Sequence, residues 1–158
     1  MQIADLLVSE GVFTTIRAQG KKQLFQELAS KAAPLVHMPD KRVFEIISER
    51  EKLGTTGVGQ GIAIPHGRHN EIEKISGLFV RLSTPVEYAA VDNQPVDLVF
   101  LLLAPESAGA DHLKALARVS RLLRSQIICS KLRAAATAEE LFAILTEPPP
   151  AVAKAVSA

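Results

Sequence analysis

The sequence is poor in the residues that build disulfide frameworks, cysteine metal clusters and membrane spans. It has a single cysteine, Cys129, which excludes an intrachain disulfide framework and a cysteine zinc cluster. The longest uninterrupted apolar run, Leu98 to Ala104, falls far short of the roughly 20 residues that a membrane-spanning helix needs. The net charge of +1 provides neither the basic surface typical of nonspecific nucleic-acid binding nor a polybasic membrane anchor.

The length and the remaining composition are those of a single globular domain. The chain has 158 residues, of which 47% are hydrophobic and 22% are charged, and a chain of this size can bury an independent core. The first residues, Met1 to Asp5, lack the basic start and long apolar stretch of a signal peptide, so we expect a cytoplasmic protein. Three prolines at 148–150 cannot continue a helical core stripe. We therefore expect a domain over residues 1–146 and a loose Pro/Ala-rich tail over 147–158.

Periodic apolar residues predict helices on both sides of a central sheet. Helices are predicted over residues 20–37, 40–53, 110–125, 126–134 and 137–146. Strands are predicted over residues 12–18, 77–82, 85–88 and 96–103. Because Pro85 cannot donate to a hydrogen-bond ladder, we expect its segment to be a separate edge strand. The last strand is almost continuously apolar, as a strand covered on both faces would be, which favours a three-layer α/β sandwich.

The apolar stripes of two predicted helices indicate which side chains face the core. In the helix 110–125 we expect the inward face to carry Leu113, Leu116, Ala117 and Leu123. In the helix 40–53 the stripe is Val43, Ile46 and Ile47, and its continuation leads to Arg50. A guanidinium there is permanently charged and its donors match phosphoryl oxygens. The alternative interpretation is a solvated arginine whose charge suits the last turn of a helix.

A glycine-rich stretch marks the centre of the chain and contains a histidine in a stiff setting. Five of the nine glycines lie between Gly54 and Gly67, a density that predicts loops and short strands. Pro65 restricts both itself and Ile64, so the backbone that leads to His66 is rigid. The imidazole has an unperturbed pKa near 6.5 and is mostly neutral at pH 7, which suits a nucleophile. A loop histidine that caps backbone groups is the alternative.

Two further histidines are candidates for a role in the same chemistry. His112 lies in the first turn of a predicted helix, where free N–H groups favour anions and an imidazole can donate to a phosphoryl oxygen. His69 follows His66 closely, which superficially offers two metal ligands. Zinc sites need three or four ligands and no acidic ligand pattern accompanies this pair, so we expect no metal.

Three stretches of the sequence resemble the mannitol/fructose-type enzyme IIA domain of the bacterial phosphoenolpyruvate phosphotransferase system. They run from Arg50 to Gly57, from Gly59 to Gly67 and from Asp92 to Leu98. The resemblance covers residues 1 to 146, and within the family the sequence is most similar to the stand-alone enzyme IIA of the nitrogen branch. It implies a mixed central β-sheet between helical layers. His69 and the proline-rich tail lie outside the family pattern.

The resemblance also assigns roles to residues and implies partners, with no cofactor required. It implies that His66 accepts a phosphoryl group from an HPr-type phosphocarrier, with His112 as the second active-site histidine and Arg50 as the phosphate-facing arginine. We expect the phosphoryl oxygens to be cradled by backbone N–H groups of a loop that contains Thr56, Gly57, Gly59 and Gly61. A partner-docking rim is expected from Ile62 and Ile64. The implied targets are potassium-transport regulators or a sensor kinase, and we expect a monomer or weak homodimer that neither binds nucleic acid nor enters a membrane.

The sequence leaves three other functions open. The protein could be a sugar-transport enzyme IIA that passes its phosphoryl group to an enzyme IIB, although the lack of a fused IIB or membrane IIC region favours regulation. A binding module with an inactive site is the second alternative, and the joint presence of Arg50, His66 and His112 argues against it. A metal-dependent hydrolase that uses His66, His69 and His112 is the third.

Overall fold

The computed structural model of the chain describes residues 1–148. Residues 149–158, which form most of the predicted tail, lie outside the described residues, so the domain boundary at 146 stays a prediction. None of the helices in the described part combines the length and apolar character that crossing a membrane requires.

Five α-helices and six β-strands follow a short 3₁₀ turn at Ile3–Asp5 in the described residues. The helices are α1 (Lys21–Val36), α2 (Asp40–Lys52), α3 (Gly109–Arg124), α4 (Gln126–Ala134) and α5 (Ala138–Thr146). The strands are β1 (Leu7–Ile16), β2 (Gly57–Gly59), β3 (Ile62–Ala63), β4 (His66–His69), β5 (Ser76–Val86) and β6 (Val96–Pro105). All five predicted helices are confirmed to within about two residues at each end.

The strands form one mixed sheet in the order β1-β5-β6-β3-β2, with β4 also paired to β6. Strand β6 is antiparallel to β5 on one side and parallel to both β3 and β4 on the other. Pro65 lies between β3 and β4, where it has no N–H to donate, and its carbonyl accepts from Leu102 N. The second half of β6 therefore fixes the position of β4 and its first residue, His66.

The alternating side chains of β6 pack into two separate cores. Val99, Leu101 and Leu103 pack into the core that includes α1 and α2. Leu98, Phe100 and Leu102 point to the opposite face and pack into the core that includes α3, α4 and α5. Helices thus cover both faces of a mixed sheet, which confirms the predicted three-layer sandwich.

The segment at Pro85 differs from its prediction as a separate edge strand. Pro85 and Val86 belong to β5, and Val86 pairs with Val96 of β6. Strand β1 reaches only as far as Leu82, which pairs with Ile16. Because Pro85 lies beyond that last pair, its missing N–H interrupts no bond to β1.

The inward face of α3 is also different from the predicted one. Two of the four expected core residues, Leu113 and Ala117, are exposed, whereas Leu116 is half-buried and packs against the core, and Leu123 is buried as expected. The buried face carries His112, Ala115, Val119 and Leu123. Part of the buried face of α3 is thus given to a histidine and an alanine, while Leu113 in the same helical turn as His112 stays at the surface.

Candidate active site

A cavity of about 1190 Å³ opens where α2, β4 and the start of α3 meet. Its lining includes Arg50 from α2, His66 from β4 and His112 from α3. Three of the side chains singled out in the sequence, which come from segments far apart in the chain, are therefore brought together at one surface.

His66 is the first residue of β4, and hydrogen bonds fix its ring. Its Nδ1 lies 2.8 Å from the carbonyl oxygen of Ile64, and its Nε2 lies 3.2 Å from Nε of Arg50. A carbonyl oxygen can only accept, so Nδ1 carries the hydrogen and Nε2 has the lone pair. Burial lowers the pKa of His66, the bond to Ile64 opposes that shift, and the charge of Arg50 lowers the pKa further. The ring is therefore neutral at pH 7, with Nε2 as its nucleophilic nitrogen.

Arg50 lies in the last turn of α2 and is held at two points. Its Nη1 donates to the carbonyl oxygen of Gly54 at 2.9 Å, while its Nε donates to His66. The approach of α2 to β4 depends on Gly67, because a Cβ atom there would overlap Cγ2 of Ile46 on α2. Gly67 thus allows the close packing that brings the guanidinium to the histidine.

His112 lies in the first turn of α3 and is buried. Its ring meets that of His66 edge to face, with centroids 5.5 Å apart. Burial, together with the charges of His66 and Arg68, lowers the pKa of His112 to about 4, so it is neutral at pH 7. Its Nε2 is buried without a hydrogen-bond partner among the described residues. Such an atom is costly to leave unpaired.

Arg68 is a cavity residue that the sequence analysis did not single out. It lines the cavity, and its guanidinium lies against Gly109, where α3 begins. Residues two apart on a strand share a face, so Arg68 lies on the same face of β4 as His66. Recognising residues 66–69 as a strand would have been enough to find it.

The residues of the predicted phosphate cradle are not among those that line the cavity. The N–H of Thr56 donates to the carboxylate of Glu51, and that of Gly57 donates to the hydroxyl of Thr55. Gly57 and Gly59 pair with Ala63 and Ile62 in the β2–β3 hairpin, and Gly61 accepts backbone hydrogen bonds from Asp97 and Leu98. Of the four predicted cradle residues, Gly57, Gly59 and Gly61 instead build this hairpin, and Thr56 directly precedes it.

Ile62 and Ile64, from which a docking rim was expected, lie in the interior of the protein and not at its surface. The two side chains are only 2% and 4% exposed, and both pack into the core beneath α3, α4 and α5. Apolar side chains do surround the cavity mouth, but they come from the helices. Leu53 at the end of α2 is 84% exposed and Leu113 of α3 is 69% exposed.

His69 lies at the edge of the cavity, at the end of β4. Its Nδ1 accepts a hydrogen bond from the backbone N–H of Glu71, and its Nε2 lies 3.4 Å from Nη1 of Arg42. Across residues 1–148 there is no group of three or more His, Cys, Asp or Glu side chains that could hold a metal ion. His66, His69 and His112 are accordingly not gathered into a ligand set.

Comparisons with known proteins point to one family. Residues 5–147 match the family model described as "Phosphoenolpyruvate-dependent sugar phosphotransferase system, EIIA 2". A nitrogen regulatory protein from Bradyrhizobium diazoefficiens is 55% identical over 149 residues, which cover 94% of this chain and 97% of that protein.

Solved structures give the same result. The crystal structure of nitrogen regulatory protein IIA-Ntr from Neisseria meningitidis has a TM-score of 0.87 and 38% identity, over 91% of this chain and 99% of that one. Enzyme IIA for mannitol from Escherichia coli, solved in complex with phosphorylated enzyme IIB, shares the fold at 18% identity with a TM-score of 0.77, over 90% and 100% of the two chains. Because both the family model and these full-length matches span nearly all of the described residues, the chain belongs to the EIIA 2 family of the phosphoenolpyruvate-dependent sugar phosphotransferase system.

Proposed function

We propose that the chain is a phosphoryl carrier that accepts its phosphoryl group from an HPr-type phosphohistidine protein on Nε2 of His66. In its two phosphorylation states it would bind different target proteins and so regulate nitrogen- and potassium-related processes. The observation that carries the proposal is the fixed tautomer of His66. The carbonyl of Ile64 holds the hydrogen on Nδ1, which leaves the lone pair of Nε2 beside the guanidinium of Arg50.

The transfer needs one bond made and one bond broken. The Nε2 lone pair of His66 attacks phosphorus, and the bond between phosphorus and the donor's histidine nitrogen breaks, so that this nitrogen takes back its electron pair. The Nδ1 hydrogen of His66 stays in its bond to Ile64. No proton has to leave the nucleophile, so catalysis is a matter of positioning and of stabilising charge on the phosphoryl oxygens.

Arg50 is the main group that would stabilise the negative charge on the phosphoryl oxygens. Its Nε hydrogen points at Nε2 of His66, the atom that would bear the phosphoryl group. Once the Nε2 lone pair forms the bond to phosphorus, it can no longer accept from Nε of Arg50. The Nε hydrogen of Arg50 would then donate to a phosphoryl oxygen. The bond from Nη1 to Gly54 keeps the guanidinium in place during the exchange.

His112 and Arg68 complete the cavity wall on the side of α3. The buried Nε2 of His112 has no hydrogen-bond partner among the described residues. Because the rings of His66 and His112 are neighbours, a phosphoryl group on His66 would place one of its oxygens near this nitrogen. Arg68 adds a permanent positive charge at the same face of β4. We therefore propose His112 as a donor to the phosphoryl group and Arg68 as a charge that favours the dianion.

Docking of the carrier is proposed at the exposed leucines of the cavity mouth. Leu53 and Leu113 flank His66 from the two helices that form the cavity, and Ile46 and Leu116 continue the apolar surface between them. A partner with a small apolar face around its phosphohistidine would bury these side chains and exclude water from the transfer.

The regulatory role is favoured over sugar transport by the comparison of sequences. The relative that is 55% identical across nearly the whole chain is named a nitrogen regulatory protein. The mannitol enzyme, solved with its phosphorylated enzyme IIB, is 18% identical, which bears on the fold alone. Delivery of the phosphoryl group to an enzyme IIB is therefore the second candidate.

The proposal is tested by incorporation of label from phosphoenolpyruvate in the presence of the general proteins of the pathway. His66→Ala is expected to abolish labelling, whereas His69→Ala, a substitution on the same strand, keeps full stoichiometry. Label that persists in His66→Ala would show that another residue is the acceptor. A pull-down with phosphorylated wild type and with His66→Ala is expected to recover different partners, and identical sets from the two would contradict a regulatory role.

A further inference from the structure

A second cavity, of about 540 Å³, lies away from the candidate active site and shares no lining residue with it. It is formed by the second half of α3, the start of α4, the end of α5 and the first residues of the chain. Small-molecule sites occupy about 300–1,000 Å³ and combine apolar walls with a few polar groups, so this cavity has the size of a ligand site.

The inner walls of this cavity are apolar. They are formed by Ile3, Leu122, Ile128, Ile144 and Leu145. Ile3 and Leu145 are buried members of the core beneath α3, α4 and α5, and Leu122, Ile128 and Ile144 pack against it. The walls therefore belong to a packed part of the molecule, and their shape is held by the core.

Three positive charges line the same cavity against one negative charge. Arg118 is half-buried, while Arg121, Lys131 and Glu147 are exposed. Throughout residues 1–148, none of the three cations forms an ion pair with a carboxylate.

The two hydroxyl groups of the cavity each already make one hydrogen bond within the protein. Ser125 caps α4 by accepting from the N–H of Ile128, and Thr146 donates to the carbonyl oxygen of Phe142. The polar side chains left for a ligand are therefore the three cations, together with Gln2 and Glu147 at the same cavity.

We propose that this cavity binds a small organic anion with an apolar body, of the class represented by medium-chain carboxylates. The apolar walls take the hydrocarbon part, and Arg118 binds the anionic head with support from Arg121 and Lys131. The site is separate from the phosphoryl chemistry of His66, so it stands or falls independently of the proposed function.

The test is a calorimetric titration of the full-length chain with decanoate, at concentrations below its self-association. Decanol and decylammonium serve as probes of equal chain length with a neutral and a cationic head. We expect decanoate to bind at least tenfold more tightly than decanol, and decylammonium to bind more weakly still. Equal affinity for decanoate and decanol would overturn the proposal, because the cations would then contribute nothing.

Matched variants on α3 locate the head group. Arg118→Gln is expected to weaken decanoate binding about tenfold and to leave decanol binding unchanged. Arg124→Gln removes an exposed cation of the same helix that does not line the cavity, and it should leave both affinities unchanged. Equal effects of the two substitutions would contradict a specific role for Arg118.

Mapping of backbone amide shifts, with wild type and with His66→Ala, separates this site from the active site. Decanoate is expected to shift amides of the second half of α3, of α4 and of the end of α5 in both proteins. Shifts centred on Arg50 and His66 would overturn the proposal, since the anion would then be bound in the candidate active site.

Discussion

Two parts of one glycine-rich stretch lie along the same edge of β6 but have different tasks. The β2–β3 hairpin, residues 57–63, is held by contacts with later parts of the chain: the N–H of Gln60 donates to Asp92, and Arg133, which forms a bidentate ion pair with Asp97, donates to the carbonyl oxygen of Gln60. Strand β4 instead lines the cavity and presents His66 to Arg50. Glycine density in this chain therefore indicates an irregular backbone, and only the side chains show which part carries the chemistry.

The glycines themselves differ in what they allow. Gly61 has φ of +83°, and a Cβ there would lie 2.6 Å from Nη2 of Arg133. Gly67 does not adopt this left-handed geometry, and its lack of a side chain makes room for Ile46 of α2. The first glycine supports the hairpin, whereas the second sets the distance between two elements of the site.

The largest effect is expected when a substitution at the cavity is compared with a substitution just outside it. Arg50→Gln removes the donor beside Nε2 of His66, and we expect the rate of phosphoryl acceptance to fall by about 10²–10³-fold. Lys52→Gln, at an exposed cation of the same helical turn, should leave the rate unchanged. The rates of phosphoryl acceptance can be measured by rapid quench with labelled donor. Equal rates in the two variants would show that Arg50 takes no part in the transfer.

A pair of glycine substitutions tests the division between hairpin and strand. Gly67→Ala and Gly61→Ala are each expected to lower the free energy of unfolding by about 1–3 kcal/mol, measured by urea denaturation. Gly67→Ala should also slow phosphoryl transfer, because it pushes α2 and Arg50 away from β4. Gly61→Ala should keep the wild-type rate in the folded protein. A slowed rate in Gly61→Ala would show that the hairpin takes part in the transfer after all.

The two regions should also respond differently to acid. The folded-state pKa of His112 is lowered to about 4, whereas an unfolded histidine titrates near 6.5. Between these values the unfolded chain binds the extra proton, so the free energy of unfolding falls as pH falls from about 6.5 toward 4. His112→Gln should reduce this loss by about 1 kcal/mol, a few degrees in Tm.

The matched control for the acid response lies next to the hairpin. The hydroxyl of Tyr88 lies 2.7 Å from that of Thr56, and burial raises the pKa of Tyr88 well above its ordinary value. Tyr88→Phe should therefore lower Tm equally at pH 7.5 and pH 5. A wild-type acid response in His112→Gln would mean that His112 is not held neutral by the fold.

The smallest expected effect concerns the surface around the cavity. Leu113→Ser should raise the KM for the phosphorylated carrier severalfold and leave Tm unchanged, because the side chain is 69% exposed. Val58→Ser, in the hairpin at 53% exposure, should change neither quantity. A rise in KM from Val58→Ser alone would place the docking surface on the hairpin.

Much of the fold could be predicted from local patterns. The periodic apolar residues predicted α1, in which Leu24, Phe25 and Leu28 are buried, and the apolar run of β6 indicated a strand covered on both faces. The face of α3 was predicted wrongly because its leucines suggested one stripe, while the helix buries His112 and the small Ala115. A helix that gives part of its buried face to a histidine cannot be oriented from hydrophobicity alone.

The candidate site could be predicted only in part. The rigid approach through Pro65 singled out His66, and the stripe of α2 led to Arg50, since both signals are local. The contacts that hold the hairpin could not be predicted from local sequence patterns, because Arg133 pairs with Asp97 across 36 residues of the chain. The burial of Ile62 and Ile64 depends likewise on helices that lie more than 40 residues further along the chain.

The hydrogen bond between His66 and the carbonyl of Ile64 has a consequence for the lifetime of the phosphorylated form. Because the carbonyl favours retention of the Nδ1 hydrogen, a ring phosphorylated at Nε2 would be kept cationic. When the phosphoryl group is transferred, the leaving group is then a neutral imidazole. An imidazolate anion, which a ring without the Nδ1 hydrogen would have to release, is a much poorer leaving group. The carbonyl oxygen of Ile64, which orients the neutral ring for attack on phosphorus, would thus also keep the phosphorylated ring reactive. Such a phosphohistidine would pass its phosphoryl group on rapidly and would not be a long-lived store of it.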